Sequence, residues 1–290
     1  MERIAIENLK PGMILAHTVH LPDGSVLIAK DTAISTATVT KFKELRLPAI
    51  YVKNIDAEND YHDFISDETR AMIFRNFFRI DSEIRMNKRI NLAIFKESLN
   101  KLMDEVIANQ KKPLLFSEIR GVHDYIPGHS IHTCVIALRI GLRLNYDAKK
   151  LMDLGLGALL HDLGMLRIPY DLVHRIGGLT PEEEKIIQTH CKTGYDLIVQ
   201  NQDLSNNSAL VALQHHERYN GTGYPRKMAG NDINEAARIT AIADVFDAMT
   251  TERIYRKAKT IPDTLKYMKA QKRIDFDPFL VDILEKVLTA

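Results

Sequence analysis

From residue 66 to residue 107 apolar side chains recur at three- and four-residue steps: Ile73, Phe77, Ile80 and Ile84, then Leu99, Leu102, Met103 and Val106, with charged residues between them. That period predicts helix. Because the stripe is not a clean heptad, a helical layer packed on a main domain fits it better than a connecting, dimerising helix. Beyond Gly121 the pattern reads as helices joined by short turns. Ile131, Cys134, Val135, Leu138 and Leu142 predict one amphipathic face, and Leu151, Leu154 and Ala158 lead into His161-Asp162. Thr180-Pro181-Glu182-Glu183 is a helix start with an N-cap threonine, a first-turn proline and a capping-box glutamate.

The first fifty-odd residues have another texture. Met13 to Val19 is apolar and β-branched, Pro22-Asp23-Gly24 signals a turn, and Ser25 to Ile28 returns as a second strand. A short helix is expected after Ser35, an N-cap, with Ile50-Tyr51-Val52 as a third strand. The expected fold is mainly α, with a small α+β module at 1–56, a helical connector at 57–118 and the main helical domain at 119–290. There is no internal repeat and no low-complexity tract.

Composition narrows the function classes. In 290 residues, 39 Lys and Arg face 38 Asp and Glu, a net charge of +1, so there is no general electrostatic footprint for nucleic acid or an anionic membrane. Any bound anion must be met locally. Cys134 and Cys191 are too few for a disulfide framework and sit where small apolar residues would serve. Met1-Glu2-Arg3-Ile4 lacks signal-peptide order, and no apolar run is long enough to span a bilayer. A cytoplasmic protein is the expectation.

Candidate chemistry lies in the helical half. His129 opens one predicted helix, His161-Asp162 ends the next, and His190 shares a face with Ile186 and Ile187. His215-His216 ends the Leu210-Val211-Leu213 helix, and Asp244 follows Ile242 in a helix whose Ile239-Ile242-Phe246 stripe is core. Any one of these histidines alone reads as an ordinary hydrogen-bonded residue. Inward-biased His and Asp on five successive helices read as convergent metal ligands, as helix bundles supply for two-metal sites. Mixed nitrogen and oxygen ligation suits iron, manganese or zinc rather than calcium or a thiolate-bound metal, and Asp162, beside a histidine, could bridge two ions.

His161-Asp162, His190-Cys191-Lys192-Thr193-Gly194, the run from His215-His216-Glu217-Arg218 to Gly223-Tyr224-Pro225, Ala243-Asp244-Val245-Phe246-Asp247, and Arg253-Ile254-Tyr255-Arg256, in this order, closely resemble the HD-GYP family. The resemblance covers Gly121 to Val287. It implies a bacterial HD-superfamily helical domain that hydrolyses cyclic di-GMP, or a related cyclic dinucleotide such as cyclic GMP-AMP, to linear pGpG or GMP through a metal-bridging hydroxide. The ligands it carries over are His129, His161, Asp162, His190, His215, His216 and Asp244; the family pattern selects His129, followed by Ser130, over nearby His132. His161 and Asp162 are the catalytic pair. Trinuclear members place a glutamate where this chain has Tyr125, so two ions are expected, iron or manganese before zinc or nickel, and no organic cofactor.

Arg253 and Arg256 are expected phosphate contacts, with guanidinium forks suited to phosphate oxygens. In the Asn220–Pro225 loop, Gly223 permits close backbone approach and Tyr224 offers a ring or a hydroxyl to substrate. Glu217 and Asp247 are expected to orient ligand imidazoles. The sequence departs from the family at Met165, where a phosphate-binding lysine is usual, and at Gly128, Asn220 and Asn234, where arginine, aspartate and proline are common. Loss of the lysine makes a cyclic di-GMP receptor without turnover the alternative. The full His215–Pro225 motif argues against a mononucleotide phosphohydrolase. A homodimer through the N-terminal module or the connector is compatible with the pattern; no nucleic-acid polymer or membrane partner is expected.

Overall fold

The computed structural model describes residues 2–16, 18–21, 25–45, 47, 49–53, 64–112, 125–173, 175, 177–251 and 258–289. In the N-terminal module, β1 (Glu2–Ala5) pairs antiparallel with β4 (Ala49–Val52), with Glu2 opposite Val52 and Ala5 opposite Ala49. A second ribbon joins β2 (Val19–His20) to β3 (Val26–Ile28). Helix α1 (Thr36–Glu44) starts at Ser35, whose hydroxyl accepts the Thr38 N–H at 3.1 Å. Ile6, Leu15, Ile34, Phe42, Ile50 and Val52 close a small core of their own.

Two expectations are corrected here. The sequence reading omitted β1, because four residues at the start of the chain show too little alternation. Conversely, most of Met13 to Val19 is not strand: Ile14 and Leu15 make only isolated bridges, to Ala33 and Val52, and the Pro22–Gly24 turn signal lies outside the described residues.

The helical part comprises α2 (Asp67–Arg85), α3 (Ile94–Ala108), α4 (Tyr125–Arg143), α5 (Ala148–Leu159), α6 (Tyr170–Val173), α7 (Pro181–Val199), α8 (Asn206–Gln214), α9 (Glu235–Thr250), α10 (Ile261–Ala270) and α11 (Pro278–Leu288). Side-chain caps set many of the starts: Asp147 for α5, Ser205 for α8, Asn234 for α9 and Asp277 for α11. At α7 the full capping box forms, Thr180 accepting from the Glu183 N–H and Glu183 accepting from the Thr180 N–H. One hydrophobic core runs through Phe77, Phe95, Leu99, Val135, Leu159, Ile242 and Leu284, so α2 and α3 share it with α4, α5, α9 and α11. No described helix is long and apolar enough to cross a membrane.

Helix α4 differs from its expected amphipathic form. Ile131, Val135, Ile136, Ala137, Leu138 and Ile140 are all buried, because α2, α3, α5, α9 and α11 surround it. A helix apolar all round belongs in the centre of a domain. This burial places His129 and His132, at the start of α4, deep in the protein.

Candidate metal centre

The seven predicted ligands meet at one place. His129 comes from α4, His161-Asp162 from the turn after α5, His190 from α7, His215-His216 from the end of α8, and Asp244 from α9. The Asp162 carboxylate lies between the imidazoles: Oδ1 is 3.3 Å from His190 Nε2 and 3.6 Å from His215 Nε2, while Oδ2 is 3.5 Å from His161 Nε2 and 4.0 Å from His129 Nε2. Asp244 Oδ1 is 3.0 Å from His129 Nε2. His216 stacks its ring on Tyr224 at 4.7 Å.

The outer nitrogen of each deeply buried ring is already committed. His161 Nδ1 donates to the Ala158 carbonyl at 2.8 Å, His190 Nδ1 to the Ile187 carbonyl at 2.7 Å, and His215 Nδ1 to the Ala212 carbonyl at 3.0 Å. His129 Nδ1 lies 2.6 Å from Asp247 Oδ2. These bonds fix the tautomer and turn each Nε2 lone pair inward. His190 Nε2 and His215 Nε2 are then 3.3 Å apart, lone pair facing lone pair. His161 Nε2 is buried with no hydrogen-bond partner. Such an arrangement is costly unless a cation satisfies it, and imidazole with carboxylate is the donor set of first-row divalent ions. The residues present fit a metal site.

The electrostatics agree. Burial pushes the His161 imidazole down from 6.5 to about 4, and holds His190 and His216 below their ordinary range as well. Burial pushes the Asp162 carboxyl up, but the neighbouring imidazoles of His161, His215 and His190 outweigh it and hold Asp162 well below the usual carboxylate range. Asp244 is likewise held low, burial being outweighed by His129 and its neighbours. Between pH 6.5 and 4 the unfolded chain therefore binds a proton at residue 161 that the metal-free fold excludes. Stability rises with pH across that window, and acidification through it is expected to cost on the order of 3 kcal/mol at this residue. Below it, protonation of Asp162 and Asp244 removes more. Urea melts of chelator-treated protein across pH check this; a flat profile would contradict the buried, neutral imidazole.

The other predicted residues divide. Asp247 Oδ2 meets His129 Nδ1 at 2.6 Å and its Oδ1 meets His132 Nδ1 at 2.9 Å, so one carboxylate positions two rings. Glu217 does not play the expected part: its oxygens accept the backbone N–H groups of Arg226 at 2.7 Å and Met228 at 3.0 Å, tying down the loop that carries Tyr224. Gly223 is buried against backbone rather than presented to a ligand. A Cβ there would lie 2.3 Å from Arg218 N and 2.5 Å from Glu217 Cα, so only glycine lets the loop fold onto His216–Arg218. Arg253 and Arg256 lie outside the described residues.

A groove of about 580 Å³ opens over the cluster, with Met165, Tyr224, Arg218, Lys259 and Tyr267 on its walls. Arg167, the nearest cation to Met165 in sequence, is exposed and does not line this groove. The sequence reading missed Arg218, Lys259 and Tyr267, whose spacing carries no signal of a shared wall. It also missed Cys191, which groups with His190, His215 and His216 so that their donor atoms all lie within 4.8 Å of one another.

Imidazoles and carboxylates from five successive helices and the turns that end them, converging beneath an open groove, define a helical domain with a candidate metal centre. The HD domain family profile matches residues 101–280. The chain belongs to the HD domain family. Cyclic di-GMP phosphodiesterase response regulator RpfG of Xanthomonas campestris pv. campestris is 38% identical over 150 residues, 51% of this chain and 40% of its own length. The 3'3'-cGAMP-specific phosphodiesterase 2 of Vibrio cholerae is 38% identical over 126 residues, 43% of this chain and 24% of that protein. The chain thus spans less than half the length of these relatives. Bd1817, an HDG"Y"P protein from Bdellovibrio bacteriovorus, shares the fold, with a TM-score of 0.62 at 16% identity over 100% of this chain and 99% of that one.

Proposed function

We propose that this chain hydrolyses a cyclic dinucleotide, cyclic di-GMP or cyclic GMP-AMP, to the linear dinucleotide and onward to mononucleotides. The observation that carries the reading is the set of inward Nε2 atoms around Asp162 at the base of a groove wide enough for a nucleotide. His129, His161, His190, His215, His216, Asp162 and Asp244 would hold two divalent ions, iron or manganese. Such ions supply Lewis acidity at the phosphorus and lower the pKa of the attacking water. Asp162, with imidazoles on both its oxygens, is placed to be shared between the two positions. Asp247 holds the His129 ring in its working tautomer. Tyr224 stacks on His216 and lines the groove, while Arg218 and Lys259 bring positive charge to it.

The test is turnover of cyclic di-GMP and of cyclic GMP-AMP by protein purified without oxygen and supplied with Fe(II) or Mn(II), following linear and mononucleotide products. Hydrolysis that requires the metal supports the reading. Tight binding without turnover under every metal condition favours a receptor instead, and Met165 on the groove wall gives that second reading its substance.

Met165→Lys separates substrate affinity from chemistry. A charge-assisted contact to phosphate is worth about 1.5–3 kcal/mol, so the substitution is expected to tighten cyclic di-GMP binding roughly 10- to 100-fold. Calorimetric titration of the metal-loaded variant reads this directly. Unchanged affinity would mean that the substrate phosphates do not reach residue 165.

A further inference from the structure

Helix α7 places a second donor beside His190. Cys191 is fully buried, and its Sγ lies 3.5 Å from His190 Nε2. Around a tetrahedral ion with bonds of about 2.0 Å to nitrogen and about 2.3 Å to sulfur, neighbouring donors stand about 3.3 Å apart for two nitrogens and about 3.5 Å for nitrogen and sulfur. His190 Nε2 is 3.3 Å from His215 Nε2, 3.3 Å from Asp162 Oδ1 and 3.5 Å from Cys191 Sγ. Three separations measured from one imidazole thus match the edges of one coordination polyhedron. The donor atoms of His190, Cys191, His215 and His216 all lie within 4.8 Å of one another, and beside them the buried His161 Nε2, on a ring 4.9 Å from that of His215, makes no hydrogen bond.

We propose that Cys191 is a thiolate ligand of the ion held by His190 and His215. This rests on the metal-site reading above and sharpens it. The thiol proton passes to solvent as the sulfur–metal bond forms, as it does for any ligating cysteine. The two metal positions are then chemically unlike. The position near His190 and His215 offers nitrogen, oxygen and sulfur, and favours zinc, cobalt or Fe(II). The position near His129 and His161 offers only nitrogen and oxygen, and accepts manganese. Cys134 has no such part: its Sγ donates to the Gly155 carbonyl at 3.3 Å, inside the apolar core.

Anaerobic titration of the full chain with Co(II) tests the assignment. Visible ligand-field bands report cobalt bound by any of these donors, and a near-ultraviolet sulfur-to-cobalt charge-transfer band reports thiolate ligation. Both bands are expected in the unmodified chain. Cys191→Ser should lose the charge-transfer band and keep the ligand-field bands, whereas Cys134→Ser should keep both. Ligand-field bands without charge transfer in the unmodified chain, or charge transfer surviving in Cys191→Ser, would overturn the thiolate while leaving the metal site standing. Absence of all bands would overturn the metal site itself. X-ray absorption of the zinc-loaded, unmodified chain needs no variant: a sulfur neighbour at about 2.3 Å is expected, and a shell of nitrogen and oxygen alone contradicts it.

Discussion

Asp162→Ala is expected to abolish hydrolysis and strip the centre of metal while leaving the helical fold in place. Its carboxylate stands within 4.0 Å of four Nε2 atoms, those of His129, His161, His190 and His215. Without it those lone pairs lose the one carboxylate they share, Asp244 remaining only beside His129, and ion affinity is expected to fall. Metal ions supply several kcal/mol of transition-state stabilisation, so turnover of cyclic di-GMP should drop by ~10³-fold or more. Elemental analysis and product assays on the same preparation, with circular dichroism for the fold, measure both effects. Full metal content with full turnover would remove Asp162 from the centre.

The second large effect comes from a position with no functional group. Gly164 sits two residues beyond Asp162, in the 3-10 turn Leu163–Arg167, where the chain crosses α7 at backbone contact. A Cβ there would lie 2.0 Å from the His190 carbonyl oxygen and 2.7 Å from Gly194 N. Neither atom is the end of a flexible side chain, so Gly164→Ala must push the turn off the helix. Overpacking against backbone is expected to cost about 3 kcal/mol, a fall in melting temperature of roughly 5–10 °C. Because the displaced turn carries His161 and Asp162, and the displaced helix carries His190, metal affinity should fall with it. Thermal melts with and without added metal test this: a variant as stable as the parent, with the same metal-induced stabilisation, would show that the two elements need not touch.

These positions show what the sequence could and could not convey. The ligands were legible because each lies at a helix end or on a periodic apolar face, where a polar residue stands out. The packing of Gly164 against α7 left no local signal, because it depends on backbone atoms of another helix. Cys191 looked like a small core residue, and its burial agrees with that; only the distance to His190 distinguishes it. Glu217 looked like a support for an imidazole because it follows two histidines, whereas the folded loop brings the Arg226 and Met228 N–H groups to it instead. Strand β1 was missed because its partner, β4, lies at the far end of the module, and pairing at that separation leaves no local pattern. Periodicity reports which face of an element is buried, but not which atoms it is buried against.

The bond between His129 and Asp247 joins residues 118 apart in the chain. On a ribosome His129 emerges long before the carboxylate that orients it, and before Asp244, with which it shares the centre. The growing chain therefore carries all five ligand imidazoles before Asp244 and Asp247, both in α9, have been made. The orientation of His129 is settled only after synthesis has passed α9, late in the making of the domain.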